Sequence, residues 1–480
     1  MAGGAGLLRP GKRGAALPVS PARAWRARAD CRRGRGEAVS WWLSLLAIFG
    51  LLLGLLASGL PIFAGFLLVN VIGILVVIGP AAIGLFVNSV LDTASTEALV
   101  AVPLYMLLGE LLFRTGGVEI LYNALNRLIG RIRGRLYVVA IALSSLLGAI
   151  SGSAMACVAM LGRFVYPTMI ARGCDRQLSI GMILAGATLD PIIPPSVLAI
   201  ILATLAGISI GDFLVAGIMP GILLAVAFAA YAVIRTLLNP ALDARPAPAA
   251  GGEGGWRETI GAALQILPFL LVIFLVLGLI MLGVAQPSEA AAVGIVGAVL
   301  LSFLYRSFSF RMLYQACYSA AITTSTVLVI IACAKLFSQL LAFTGATSGL
   351  VEMVSHLEFN RWLVFIAMMG SIWVICMFID EIAVMLIAVP VFTPVIGHLS
   401  FDPIWFWMMF LIIFTLGGIT PPIGYTNFVF KSVAPPDTSM GEIMRAAWPI
   451  VLIAMACIAV MCVFPQIVTW LPGNMRAGRY

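Results

Sequence analysis

Apolar residues run through most of the 480-residue chain, and the places where they stop set the element boundaries. Continuous apolar stretches lie at 41–58, 61–82, 97–113, 178–206, 213–238, 260–284, 288–304, 313–342, 403–430 and 446–470. A helix needs about 20 such residues to cross the hydrocarbon core of a bilayer. The stretches are too long and too continuous for the alternating strands of an outer-membrane barrel. The pattern predicts an all-α, polytopic membrane protein. Two further apolar stretches, about 136–170 and 363–396, are interrupted near their middles, the first by "SGSA" and the second by "DE".

Inside the 403–430 stretch stands "GGITPPIGYTN", residues 417–427, with two adjacent prolines, three glycines and an asparagine. Its twin, "DPIIPPSV" at 190–197, interrupts the 178–206 stretch. Proline lacks the backbone N–H and disfavours helix in the residue before it, so each pair leaves carbonyls without intrahelical donors. At membrane depth such backbone survives only where it is buried in protein or lines a polar cavity.

The two halves of the chain match. A shift of 227 residues places Ser153 on Asp380, Pro167 on Pro394, Asp175 on Asp402 and the pair Pro194, Pro195 on Pro421, Pro422. Nearby shifts align Pro61 with Pro287, Thr115 and Gly116 with Thr344 and Gly345, and Ser209 and Gly211 with Ser439 and Gly441. This predicts a duplication: repeat one over 40–240, a Pro, Ala and Gly-rich linker over 241–259, and repeat two over 260–472. Arg127, Arg131, Arg133 and Arg135 precede the first interrupted stretch, and Arg172 and Arg176 follow it. By the positive-inside rule both its ends face the cytoplasm, which makes it a re-entrant hairpin. The second stretch has only Arg361 before it and "GHLSFDP" after it, so its ends face outward. Inverted repeats with one hairpin from each side are the expected architecture.

Charge adds little. Residues 1–39 hold nine Arg or Lys against Asp30 and Glu37, which supplies +7 of the net +8. The other residues offer no basic surface for nucleic acid, and the tail composition is that of a disordered segment. Counting three crossings back from the cytoplasmic arginines puts this basic tail outside, against the rule that oriented the hairpins. Either a crossing is miscounted or the tail is an upstream over-call of the start site; on both readings it is uninformative about function. The eight cysteines show no CxxC and no His at ligand spacing, so they read as apolar packing and no metal or organic cofactor is implied.

The candidate chemistry lies where hairpins and breaks coincide. Each Pro-Pro pair has a hairpin tip 41 residues upstream, Ser153 for Pro194 and Asp380 for Pro421. Tip one offers Ser151, Gly152 and Ser153; tip two offers Asp380 and Glu381. Freed carbonyls suit a bare monovalent cation, and half-helices starting at the tips favour an anionic group. A single proline kink is usually structural, but two double-proline breaks at matched positions point to paired binding sites. Intramembrane carboxylates are functional by default. Glu110 and Glu289 read as scaffold residues, and His356 and His398 as solvated.

With these motifs assembled, the chain resembles the large membrane subunit of tripartite ATP-independent periplasmic (TRAP) transporters. The resemblance is carried by "AVPLYMLLGELLFRTGG", "ISGSAMACVAMLGRFVYPTM", "IIPPS", "SIGDFLVAGIMPGILLA", "QPSEAAAVG", "FIDEIAV" and "GGITPPIGYTNFVF", in order over about 40–470. It implies an ion-coupled, sodium-driven importer of the inner membrane working as an elevator. It also implies a small four-helix membrane subunit and a periplasmic binding protein that delivers a small organic acid such as a dicarboxylate or sugar acid. Carried over, cation sites fall at Ser151, Gly152 and Ser153 with Ile193, Pro194, Pro195 and Ser196, and at Asp380 and Glu381 with Gly418, Thr420, Pro421, Pro422 and Gly424. Ser153, Asp190, Asp380 and Asn427 are the candidates to touch substrate. Asp190 departs from the family pattern, which more often has a small or apolar residue there. Its carboxylate is open to four roles: strengthening a cation site, carrying a proton as coupling ion, binding a cationic substrate group, or pairing with Arg163.

Three alternatives remain. A stand-alone cation/organic-anion symporter would share the architecture without a binding protein. An intramembrane enzyme is disfavoured by two His, no GxSxG and no HExxH. A channel fits closed hairpin tips less well than alternating access does.

Overall fold

The structure, a computed structural model, describes residues 41–77, 79, 83–129, 132–151, 154–243, 256–356, 360–379 and 381–477. The basic tail, most of the linker and the tip residues Gly152, Ser153 and Asp380 lie outside the described residues. The secondary structure among the described residues is helical throughout. Helices α1 (Trp41–Ala57), α2 (Ile62–Val77), α3 (Ile83–Ala94), α4 (Ala101–Arg114) and α5 (Gly117–Leu128) come first. Helices α6 (Arg135–Ser151) and α7 (Ala154–Ala171) form hairpin one. The first broken helix is α8 (Arg176–Leu189) with α9 (Val197–Ala206), followed by α10 (Ile210–Ala216) and α11 (Ile218–Leu238). After the linker come α12 (Trp256–Met281), α13 (Pro287–Leu304), α14 (Phe310–Phe343) and α15 (Ala346–His356). Hairpin two is α16 (Arg361–Cys376) with α17 (Glu381–Leu399). The second broken helix is α18 (Pro403–Gly417) with α19 (Tyr425–Val433), and α20 (Met440–Val463) and α21 (Gln466–Ala477) close the chain.

Seven of the described helices are long and apolar enough to cross a membrane. The first arm of each hairpin, α9 and α18 are shorter, whereas the second arms α7 and α17 are among the seven.

Matching residues start and stop matching elements. Asp175 caps α8 by accepting the Leu178 N–H at 2.8 Å, and Asp402 caps α18 by accepting the Trp405 N–H at 2.9 Å. Ser209 caps α10 through Asp212 N, and Ser439 caps α20 through Glu442 N. Each cap stabilises its helix by about 1 kcal/mol. At the ends of α4 and α14, Thr115 and Thr344 donate back to Leu112 and Leu341, and Gly116 and Gly345 follow at φ +77° and +73°. A left-handed residue costs glycine nothing, so both helices stop there.

Two helices sit at the centre. Every residue of α8 from Leu178 to Leu189 is buried, as is every residue of α18 from Ile404 to Gly417. A helix apolar all round is stable only when surrounded. Hairpin one packs on α8, hairpin two on α18, and α8 touches α18. The halves are also exchanged: α9 packs on α17 of the second hairpin, and α19 on α7 of the first. Tyr166 meets Phe430 edge to face at 5.3 Å in the second of these contacts. Hairpins and breaks thus form one packed unit. A second group, α2, α4 and α12 to α14, packs largely on itself, and meets the first through α4 on α6 and α14 on α17.

Three boundaries differ from the sequence reading. The stretch 61–82 is not one helix: α2 ends at Val77, Gly79 turns at φ +90°, and α3 follows. The polar Asn88, Ser89, Asp92 and Thr93 hide α3 from an average of hydropathy. Helices α5 and α15 are short and amphipathic, so they too escaped a search for apolar runs. The 446–470 stretch is likewise split, with α20 ending at Val463 and Pro465 starting a new turn before α21.

Candidate functional site

At the first break, residues 190–196 join α8 to α9. The Ile192 and Ile193 amides both donate to Leu189 O at 3.0 Å, turning the chain out of the helix. Pro191, Pro194 and Pro195 have no N–H to offer to the carbonyls four residues before them. Ser196 is fully buried and caps α9, its hydroxyl oxygen accepting the Ala199 amide at 3.3 Å. A serine oxygen used this way keeps its own proton and a second lone pair for another partner.

Asp190 is fully buried at the start of this break. It sits against Gly148 of hairpin one, where an added Cβ would fall 2.6 Å from Asp190 Cα. One turn earlier the contact is reversed: a Cβ on Gly186 of α8 would fall 1.9 Å from Ser144 Oγ of α6. Glycines therefore bring the hairpin arm to within backbone distance of the break. The proposed partner Arg163 is not there. It is exposed and forms no ion pair among the described residues, because its place on α7 turns it away from α8.

At the second break, residues 418–424 join α18 to α19, and more side chains converge. Gly424, at φ +51°, donates its amide to Met377 O in tip two at 3.2 Å. The Thr426 amide returns to Gly418 O at 3.0 Å. Fully buried Thr420 donates to Leu416 O at 2.6 Å and accepts the indole N–H of Trp373, on α16, at 3.1 Å. Glu381, the first residue of α17, is buried and accepts the Tyr425 hydroxyl from the first turn of α19. Asn427 is fully buried; its amide nitrogen donates to Ile419 O at 2.9 Å, while its Oδ1 accepts no hydrogen bond among the described residues. Leaving such an acceptor unsatisfied costs about 1–3 kcal/mol, a cost that a bound donor or cation would remove. Both Pro-Pro bonds are cis.

The structure therefore joins Glu381, Gly418, Thr420, Gly424 and Asn427 into one hydrogen-bonded assembly with Trp373, Met377 and Tyr425, three residues the sequence reading did not name. Tyr425 stood inside the motif but carried no signal of its partner. Ile193, Pro194, Pro195 and Ser196 line the first break as expected, and Pro421 and Pro422 the second. The donors around both breaks are hydroxyl, amide, carboxylate and carbonyl oxygens, the set preferred by hard cations. No group of three or more His, Cys, Asp or Glu suited to a metal ion occurs among the described residues. Glu110 pairs with Arg114 at 2.7 Å, and Glu289 closes a capping box on the Gln286 amide at 2.9 Å.

Known proteins resemble this chain in sequence and in fold. The sequence profile of the tripartite ATP-independent periplasmic transporter DctM component matches residues 49–467. The ectoine TRAP transporter large permease TeaC of Halomonas elongata is 29% identical over 88% of this chain and 97% of its own length. The C4-dicarboxylate TRAP large permease DctM of Pseudomonas aeruginosa is 28% identical over 79% and 87%. In three dimensions the Alcanivorax borkumensis YdaH transporter superposes with a TM-score of 0.54 at 16% identity, covering 82% of this chain and 90% of its own, which shows a shared fold. The chain belongs to the DctM family, the large permease component of TRAP transporters, and is a multi-pass protein of the inner membrane.

Proposed function

We propose that the chain is the translocating subunit of a sodium-driven, elevator-type importer of small organic acids, working in the lipid bilayer with a small four-helix membrane subunit and a periplasmic binding protein. The observation that carries this reading is the second break: a buried Asn427 whose oxygen has no hydrogen bond among the described residues and whose amide nitrogen holds the unwound Ile419 carbonyl, beside a buried Glu381 carboxylate held by Tyr425. Sodium bound there would satisfy the oxygen, draw Asp380 and the tip of hairpin two onto the break, and neutralise charge. The first break, with Asp190, Ser196 and tip one, holds a second cation. A carboxylate substrate then binds between cations and the starts of α17 and α19, whose N-terminal dipoles favour an anion.

The exchanged packing of α9 on α17 and α19 on α7 supports movement of hairpins and breaks as one body against α2, α4 and α12 to α14. In this reading the halves are inverted duplicates. Relatives are named for ectoine, C4-dicarboxylates, 2,3-diketo-L-gulonate and sialic acid, all of which carry carboxylates. That supports the class of substrate without selecting one.

The test is uptake of succinate and of ectoine into proteoliposomes holding the chain with its small subunit, with the cognate binding protein added outside. A sodium gradient should drive accumulation, and a potassium gradient should not. Accumulation that continues without binding protein would instead make the chain a stand-alone symporter.

A further inference from the structure

Helix α14 carries one charge in its outer half. It is 34 residues long, and Lys335 lies eight residues before its end, about 12 Å along the axis at 1.5 Å per residue. Arg306 and Arg311 flank the start of α14 and place that end in the cytoplasm, so Lys335 belongs to the outer half. A lysine at such depth needs a reason, since an unpaired charge there costs several kcal/mol. Among the described residues Lys335 forms no ion pair.

It lines a half-open cavity of about 410 Å³ between α14, α15 and α17, with Ser338, Gln339, Thr347 and Thr393. A second opening of about 380 Å³ shares Thr347 and Pro394 and is rimmed by Ser348 and Glu352. Donors outweigh acceptors among the polar side chains of the inner cavity. Gln339 Oε1 already accepts the Ser89 hydroxyl at 2.9 Å, which leaves its amide N–H groups to donate. Lys335 adds three N–H donors and no acceptor. Thr393 spends its proton on Val389 O at 2.7 Å, so its oxygen can only accept. Ammonium and amide donors with no carboxylate in the inner lining suit a small anion, and a carboxylate best, since its two oxygens accept about four such bonds. A lysine that merely snorkels would run along lipid rather than line a cleft beside Ser338, Gln339 and Thr347.

The cavity has an onward direction. Its α17 residues, Val389 to Pro394, stand eight to 13 residues beyond Glu381, about 12–20 Å along the same helix from the second break. We propose that this cleft is an outer subsite for an organic carboxylate, held by Lys335 and Gln339 before it reaches the second break. The assignment rests on the reading that the chain imports organic acids.

The test compares wild type, Lys335→Gln and Lys335→Arg in thermal unfolding, with sodium succinate replacing sodium chloride at constant sodium, and choline chloride added to equalise ionic strength. Each is repeated on Asp380→Asn protein, where the second break is disabled, and with added phosphatidylglycerol. Succinate should stabilise wild type and Lys335→Arg saturably, and Lys335→Gln should need at least about tenfold more, a loss of about 1.4 kcal/mol. The Lys335-dependent part should persist in Asp380→Asn protein. An equal succinate response in wild type and Lys335→Gln, or none in wild type, overturns the proposal. So does a Lys335-dependent response to phosphatidylglycerol alone, which would make the cleft a lipid headgroup site. Sodium-specific stabilisation is read in parallel melts in sodium, potassium and choline chloride, so failure of this subsite and failure of the sodium-coupled reading are told apart.

Discussion

A Cβ added to Gly417, the last residue of α18, would lie 2.3 Å from the Cβ of Cys376, the last residue of α16. The broken helix and the hairpin arm therefore meet through a missing methyl group. Gly417→Ala must push hairpin two off the break, and should cost about 1–3 kcal/mol. Cys376→Gly in the same chain should recover part of that loss. A double-mutant cycle by thermal unfolding measures the coupling; single and double variants that melt with wild type would contradict this contact.

Tyr425 and Glu381 hold the two sides of the second site together. Tyr425→Phe removes a hydrogen bond to a buried carboxylate, worth about 1.5–3 kcal/mol. The protein should still fold, with its apparent sodium affinity reduced by about tenfold or more, since 1.4 kcal/mol is a factor of ten. Sodium titration of the melting temperature reads this directly. An unchanged midpoint would mean that Glu381 takes no part in cation binding.

Asp190 stands at the matching place in the first half, 227 residues before Gly417. If it supplies charge to a sodium site, Asp190→Asn should weaken sodium dependence and leave the pH profile of uptake in place. A profile that flattens between wild type and variant, with sodium dependence intact, would make Asp190 a proton carrier.

Asp380→Asn should abolish uptake while the protein remains folded in the membrane, because one intramembrane carboxylate at the tip carries charge that no neighbouring amide replaces. Uptake near the wild-type rate would remove Asp380 from the second site.

How much of this was legible in the chain follows from what is local. Single prolines such as Pro167 and Pro390 sit inside helices, but a double proline stops one by local chemistry alone, so both breaks, both hairpins and the matched positions Asp175, Asp402, Ser209 and Ser439 could be read from the sequence. Contacts between distant segments could not. Trp373 lies 47 residues from Thr420, and Glu381 44 residues from Tyr425. Periodicity carries no record of such a meeting. The exchange of α9 and α19 between hairpins has no sequence signature at all. Lys335 was missed for a different reason: a single lysine deep in a 34-residue, largely apolar helix barely lowers its mean hydropathy. Gly148 and Gly186 looked like ordinary small residues until the fold set Asp190 and Ser144 against them.

The most direct test of the central claim is the melting temperature of the purified protein, with its small subunit, in sodium, potassium and choline chloride at equal ionic strength. Wild type is compared with Ser153→Ala, Asp380→Ala and Asn427→Ala. An ion that binds only the folded state stabilises it by about 2.7 kcal/mol at a hundredfold excess over its Kd. The expected result is a sodium-specific rise that shrinks in Ser153→Ala and is largely lost in Asp380→Ala and Asn427→Ala. Equal melting in all three salts, or a sodium rise untouched by the substitutions, would contradict the assignment of the broken helices as cation sites.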